Sequence, residues 1–412
     1  MMSKSKVPQI RFKGFSEEWD SKELTNYSTK IGDGLHGTPK YVSNTGIYFI
    51  NGNNLESGSI LISNETKEVT KEDSLKNDKQ LTSNTILMSI NGTIGNLAWY
   101  QNETVMLGKS VAYITLKNCD KSYMYCYLQS VKISNYFFNN LTGSTIKNLG
   151  LKTIRETEIS IPTEITEQIK IGDYFQQIDK LIEQKEKKYQ KLKQFKKAML
   201  DKMFPKNGAD TPEIRFKGFS GKWEEKKLGD IGNTYTGLSA KTKEDFGHGE
   251  GKFVTYMNVF SNPISKKNLT EPIEIDEKQN EVQLGDVFFT TSSETPEEVG
   301  MTSVWMNEEK NIYLNSFCFA YRPEKVFDLY YLAYMLRSSD IRKKIVFLAQ
   351  GISRYNISTN KVMEIYVPIP DIKEQEKIGN YFQKLDNQID LEQKELEKLK
   401  NIKKASLAKM FV

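Results

Sequence analysis

Two periods of hydrophobicity alternate along the chain, and each occurs twice. Between Ile165 and Phe204 there is no proline and a single glycine, Gly172, and apolar residues return every seven positions. Ile171, Ile178, Leu192 and Met199 share one position of that repeat with Lys185. Tyr174, Leu181 and Phe195 lie three residues further on, with Lys188 and Lys202. Phe175, Ile182 and Tyr189 widen the stripe. The pattern predicts a long amphipathic helix with coiled-coil character, roughly 60 Å long at about 1.5 Å per residue. Pro205, Lys206, Asn207 and Gly208 end it, as helix breakers do. Asp371–Phe411 repeats the pattern, with Ile378, Leu385 and Leu399 on one position and Tyr381 and Ile402 on the next.

The segments before these helices have a different texture. Short β-branched and aromatic runs bounded by Gly, Asn, Asp and Thr read as strands: Ile47 to Ile50, Thr85 to Ile90, Ser110 to Leu116, Asp286 to Thr290 and Ser316 to Tyr321. Tyr123 to Phe138 and Leu329 to Leu348 read as shorter helices. Each half is therefore expected to be a mixed α/β globule followed by a long helix, an α+β arrangement overall.

The halves are copies at both ends. Pro8–Leu24 and Pro212–Leu228 agree at eleven of seventeen positions, and Glu167–Phe204 and Glu374–Phe411 at twenty-one of thirty-eight. The middles diverge, so this is one duplication and not a solenoid. The resulting division is 1–163 (first globule), 164–204 (first long helix), 205–370 (second globule) and 371–412 (second long helix). Two similar apolar stripes on one chain are best buried against each other. An antiparallel coiled coil with pseudo-two-fold symmetry achieves this with one globule at each end. Ile178, Leu192, Leu385 and Leu399 would form its seam. Lys185 and Lys188 have Glu392 and Glu395 as their equivalents, so lysines are expected to face glutamates. The same charges would disfavour a first helix pairing with its own copy. Read without pairing, these residues are solvated breaks in a long helix.

Composition narrows the classes. At 412 residues, 38% apolar and 27% charged, the chain has core enough for two or three domains and is too hydrophobic for disorder. No run approaches eighteen apolar residues, and the opening stretch with Lys4 and Lys6 carries no apolar signal core,. Cys119, Cys126 and Cys318 form no CxxC pair, which fits a reducing cytosol. His36 and His248 are too few for a common zinc site.

Enzyme signatures fail one by one. Gly108-Lys109-Ser110 mimics the end of a phosphate loop, but Glu103 stands where the upstream glycine belongs,; the segment reads better as the entry to a strand. No GxGxxG follows a strand, and no Asp/Asn-Pro-Pro-Tyr tetrapeptide occurs. Pro370-Asp371 and Glu392-Gln-Lys394 loosely mimic a nuclease metal motif, but they would lie about 30 Å apart along one helix. The chain is expected to be non-catalytic, without metal or cofactor of its own.

Both middles carry polar, glycine-containing loops with small donors and acceptors beside lysines, residue types that hydrogen-bond base edges and hold phosphates. In the first half the candidates are His36, Thr38, Lys40, Asn51, Asn53, Asn54, Asn91, Thr93, Ser144, Thr145 and Lys147. In the second they are Thr236, Ser239, Lys241, Thr291, Ser292, Ser293, Gln350, Ser353, Arg354 and Tyr355. Taken singly, any of these loops also reads as an ordinary turn, and Tyr41, Tyr48 and Trp99 read as core. Arginine supplies only seven of 58 basic residues. Arg11 and Arg215 are equivalent within the shared opening and read as positional; Arg354 is the best candidate for bidentate guanine contact.

In order and in duplicate, these segments resemble the specificity subunits of Type I restriction–modification systems. The resemblance rests on Gly143-Ser-Thr-Ile-Lys-Asn-Leu149 leading to Ile159-Ser-Ile-Pro162, Glu167-Gln168 and the long helix. It is repeated as Gly351-Ile-Ser-Arg-Tyr-Asn-Ile357, Val367-Pro-Ile-Pro370 and Glu374-Gln375. Asp33 to Pro39 and Asn91 to Gly95 also resemble the family's target-recognition segments, although the second half has no clear counterpart of Thr38-Pro39. The resemblance implies two target-recognition domains, each reading half of a split site on double-stranded DNA, and a helical spacer that docks two modification subunits. It implies cytoplasmic partners that bring S-adenosylmethionine for adenine methylation, and restriction subunits that bring ATP and Mg. A duplicated scaffold that grips proteins or sugars, and a nuclease of unrecognised chemistry, remain as other readings. The net charge of +5 resolves by region into +3, +3, −2 and +1 along the four segments. A second globule so nearly neutral implies that partners contribute much of any DNA affinity.

Overall fold

The computed structural model of the chain describes residues 7–206, 208–324 and 326–412. Lys4, Lys6 and the helix-ending Asn207 lie outside the described residues. Two compact units result: Met1–Glu186 with Glu395–Val412, and Lys187–Lys394. The division runs through both long helices, so each unit holds one globule, the opening of one long helix and the closing part of the other.

In the first unit the core is a four-stranded antiparallel sheet in the order Ser28–Asp33, Val111–Leu116, Thr85–Ser89, Leu97–Trp99. Thr85–Ser89 is buried at every position: Ile86, Leu87 and Met88 are apolar, and the hydroxyls of Thr85 and Ser89 at its ends are hydrogen-bonded to Thr115 and to the Thr93 carbonyl. A second four-stranded sheet orders Val105–Leu107, Tyr48–Ile50, Glu68–Val69 and Tyr41–Val42. The second unit repeats the main sheet as Gly232–Thr236, Cys318–Pro323, Val287–Thr290 and Thr302–Val304, and sets beside it a three-stranded sheet built on the long strand Phe246–Val254.

All five expected strands are present. Each expected short helix is instead two. Tyr123 to Phe138 is interrupted at Gln129, because the Ser130 hydroxyl accepts the Ile133 N–H and caps a new helix, Val131–Asn139, after Lys121–Leu128,. Leu329–Met335 and Ser339–Phe347 are likewise separated, at an extended Ser338. The long helices run over Ile165–Lys202 and Ile372–Lys409, 38 residues each.

The repeated residues account for how each globule is fastened to its helix. Arg11 donates from Nε and Nη2 to the two oxygens of Glu167, at 2.7 and 2.8 Å, and Glu167 is 1% exposed. Arg215 makes the same fork onto Glu374, 2.7 Å on both arms. One residue on, Gln168 accepts the Asp120 N–H and donates to the Pro162 carbonyl; Gln375 does so with Asp328 and Pro370. Asp120 and Asp328 in turn cap the helices that carry Tyr123 and Tyr331. Those two phenols donate to the carbonyls of Ser160 and Pro368 in the strands before the long helices. One helical turn further, a Cβ on Gly172 would stand 2.6 Å from that of Ser122, and one on Gly379 2.6 Å from Asp328 Oδ1. Only glycine permits so close an approach. The hydrogen-bonded carboxylate raises the Arg11 guanidinium above its ordinary value.

Within each unit the two helix segments run antiparallel. In the first, Lys403 pairs with Asp179 at 2.7 Å, Tyr174 bonds Ser406 at 3.0 Å, and Phe411 stacks on Phe175. In the second, Lys196 pairs with Asp386 at 2.5 Å and Phe204 stacks on Phe382. Lys185 is ion-paired to Glu395 in the first unit, and Lys188 to Glu392 at 2.5 Å in the second. Ile178 and Leu385 are buried, Leu192 and Leu399 half-buried, and Leu396, not assigned to the seam from sequence, is buried too. Leu181 and Phe195 depart from expectation: both stay 46% exposed, because a second helix covers only a narrow seam of a widened stripe.

Two outcomes follow from this packing. Glu167→Ala is expected to destabilise the first unit by roughly 2 kcal/mol, the scale of a lost charge-assisted hydrogen bond, seen as a lower denaturation midpoint; an unchanged midpoint would count against the fork. Lys185→Glu with Lys188→Glu should cost about 1–2 kcal/mol, and adding Glu392→Lys with Glu395→Lys should recover most of it. A fourfold variant no more stable than the double one would contradict the pairing.

Candidate nucleic-acid interface

In the first unit the four candidate loops lie together at one end of the main sheet, around residues 107–110. Leu35 donates to the Leu107 carbonyl at 2.7 Å, fixing the loop that carries His36, Thr38 and Lys40. Gly108 donates to Ile50, and Ser110 Oγ to Asn51 Oδ1 at 3.0 Å, which brings in residues 51–54. Ile90 donates to Ser110, placing Asn91 and Thr93. Asn91 bridges to Asn148, the closing residue of a hairpin in which Thr142 and Asn148 exchange both backbone hydrogen bonds at 2.9 Å. Gly143, at φ 87°, turns that hairpin, and Ser144, Thr145 and Lys147 project from it, exposed.

The second unit builds the same arrangement from largely different residues. Leu238 donates to Leu314, positioning the loop with Thr236 and Ser239. Thr291 donates from N and Oγ1 to the Phe317 carbonyl. Gln350 and Asn356 exchange backbone hydrogen bonds at 2.9 Å, closing a hairpin equivalent to 142–148 that carries Ser353, Arg354 and Tyr355. Ser292 and Ser293 pair in register with Asn356 and Tyr355, as Asn91 does with Asn148.

Not every candidate side chain faces outward. Asn51 and Asn54 form a reciprocal capping box around Gly52–Asn54, and the Asn54 amide also donates to Leu61. Ser292 and Ser293 are buried, with Ser293 bonded to Glu298. Lys241 is held by Asp276 at 2.9 Å, which draws the Asp276 carboxyl down to about 2. These five are taken up by the fold; for Asn51 and Asn54 the reason is that short polar side chains compete for backbone groups wherever a turn offers them,. His36 is exposed and bonds Asp33 at 2.7 Å. Thr38, Lys40, Asn53, Thr93, Thr236, Ser239, Gln350, Ser353 and Arg354 are exposed, while Asn91, Thr291 and Tyr355 are half-buried.

Arginine usage is the sharpest discriminator. Arg11, Arg215 and Arg322 are forked onto buried carboxylates. Arg155 donates to Ile31, and Arg337 and Arg342 to clusters of backbone carbonyls. Arg354 alone, among the described residues, has a guanidinium without a hydrogen bond or ion pair, and it stands exposed at a hairpin tip. Lys109 and Phe317, at the centres of the two clusters, were not singled out as readers from sequence. Their centrality comes from strand pairings between distant segments, which leave no local signal.

Among the described residues no three His, Cys, Asp or Glu side chains gather to hold a metal ion. Burial pushes the Cys119 and Cys318 thiols up to about 12 and Cys126 higher still, so none is a thiolate nucleophile near neutrality. No helix among the described residues is long and apolar enough to cross a membrane.

Replacing Arg354 by alanine is expected to relax recognition at one base pair of one half-site, by about 1–3 kcal/mol of discrimination. Uniform weakening across DNA sequences would instead mark a phosphate contact.

Comparison with known proteins bears on the whole chain. A family model described as the Type I restriction modification DNA specificity domain matches twice, over residues 17–194 and 220–401. The Type I restriction enzyme MjaVIII specificity subunit of Methanocaldococcus jannaschii is 23% identical, over 67% of this chain and 66% of its own. The MjaIX specificity subunit of the same organism is 25% identical, over 96% and 93%. In fold, the chain is similar to the crystal structure of the Type I restriction–modification S subunit from M. genitalium, with a TM-score of 0.59 at 18% identity over 98% and 99% of the two chains. A structure described for complex assembly and conformational transition of the Type I system gives 0.56 at 14% identity, over 94% and 96%.

Proposed function

The chain belongs to the Type I restriction–modification DNA specificity family, and from that premise we propose that it is the non-catalytic reader of such a complex, each unit contacting one half of a bipartite DNA site. The observation that carries this reading is the repeated loop cluster. One scaffold, built twice, offers at the same sheet end a hairpin and its neighbouring loops, alike in backbone and different in side chains. That is the arrangement expected of two readers with different half-sites.

The long helices would set the gap between half-sites and dock two modification subunits. Leu181 and Ile402 in the first unit, and Phe195 and Leu391 in the second, remain 38–54% exposed on these helices and supply apolar surface for such partners. Methylation of adenine with S-adenosylmethionine, and ATP- and Mg-dependent cleavage, would reside on the partner subunits, with the assembly in the cytoplasm. The weak net charge of +5 suits a module whose partners add to the grip on DNA.

Mapping methylated adenines genome-wide with and without this chain is the direct test: the bipartite motif should vanish without it, and a motif that persists would refute the reading. Removing one heptad from each long helix, about 10 Å of rise, should shorten the gap in that motif by about three base pairs. A gap of unchanged length would reject the ruler role.

A further inference from the structure

We infer that the short turn at the centre of each loop cluster, Gly108-Lys109-Ser110 in the first unit and Asn315-Ser316-Phe317 in the second, is itself a DNA-contacting element. Lys109 is placed for a backbone phosphate and Phe317 for the apolar edge of a base. The inference rests on the DNA-reading role proposed above and extends it to residues outside the polar loops.

The turn is where the other loops converge. In the first unit its flanks receive Leu35 and give to Ile50, and Ser110 is bonded to Ile90 and Asn51. In the second, its flanks receive Leu238 and both donors of Thr291. A surface that presents the surrounding loops to a duplex therefore presents the turn as well. The backbone and Ser110 are consumed by this bracing, which leaves Lys109 and Phe317 to project. Lys109 is exposed and makes no hydrogen bond or ion pair with any described residue. Phe317 is 58% exposed, an orientation with no gain in packing for so large an apolar ring.

Phe317 has an apolar companion. Ile352, 96% exposed, rides on the hairpin that is fastened to the same Thr291 segment through Ile357 and the Ser292–Asn356 pair. In the major groove the thymine methyl is the apolar feature that a phenylalanine can read. The division of labour agrees with charge: the first globule carries +3 and the second −2, so the second has less to offer phosphates and more to gain from base edges.

The test uses the full chain assembled with its modification subunits, binding a duplex with its methylated motif and a scrambled duplex across a salt titration. Lys109→Ala should weaken both duplexes and reduce the slope of log affinity against log salt by about 0.9, the signature of one lost phosphate contact. Phe317→Ala should weaken the motif duplex about tenfold and leave the slope unchanged. Replacing one thymine of the second half-site by uracil should produce a similar loss in the unaltered protein and none in Phe317→Ala. Wild-type binding by both variants would overturn the inference, as would a Phe317→Ala defect confined to assembly with the modification subunits. If Arg354→Ala still relaxes the motif in that case, the reading role stands and only the turn is lost; if it too is silent, the reading face itself is misplaced.

Discussion

A carboxylate buried in the first turn of each long helix governs how the chain is put together. Glu167 and Glu374 are each 1% exposed, and a charge so placed is costly unless it is fully hydrogen-bonded. The opening segment of each half must therefore bring an arginine to it, from more than 150 residues away along the chain. Delivering that arginine fixes the path of the whole opening segment. The adjacent glutamine and the glycine one turn later then seat the helix against the capping aspartate of the globule. Arg11, Glu167, Gln168 and Gly172, with their counterparts in the second half, are among the positions repeated between the halves.

Because the joint takes no residue from the candidate loops, those loops can differ without disturbing it. Arginine is spent accordingly. Six of seven serve the frame, holding carboxylates or backbone carbonyls, and the Arg354 guanidinium alone makes no bond to a described residue, at a hairpin tip. Bracing by backbone hydrogen bonds does the remaining work, so the loops hold similar positions in both units despite sharing few side chains. Glycine at a positive φ appears where a hairpin must close, at Gly143 and again at Gly351.

Periodicity revealed the elements whose stability is local. Both long helices end within two residues of where the heptads stop, and the five apolar runs are strands. It failed where one polar side chain redirects the backbone: Ser130 reads as part of a helix until its hydroxyl is seen capping the next one. The candidate loops of the first half do converge, yet composition could not tell Thr38, which faces water, from Asn51, which caps its own turn. Lys241 gave no hint of Asp276, 35 positions away. Lys109 and Phe317 were illegible for a related reason, since their place at the centre depends on which strands pair. Leu181 and Phe195 belong to a stripe the sequence displays plainly, but how much of a stripe is covered depends on the number of helices available to cover it.

The way the chain divides has a consequence for its synthesis. The first unit takes its globule from the start of the chain and its last helical segment, Glu395 onward, from the end. Met410 and Phe411 sit in its core among Trp19, Tyr123 and Phe175. The second unit, 187–394, is continuous. On a ribosome that releases the chain from its N-terminus, the unit begun first is finished last. Its aromatic core must wait, incomplete, until the final turns of the second helix emerge. The continuous unit can close before then.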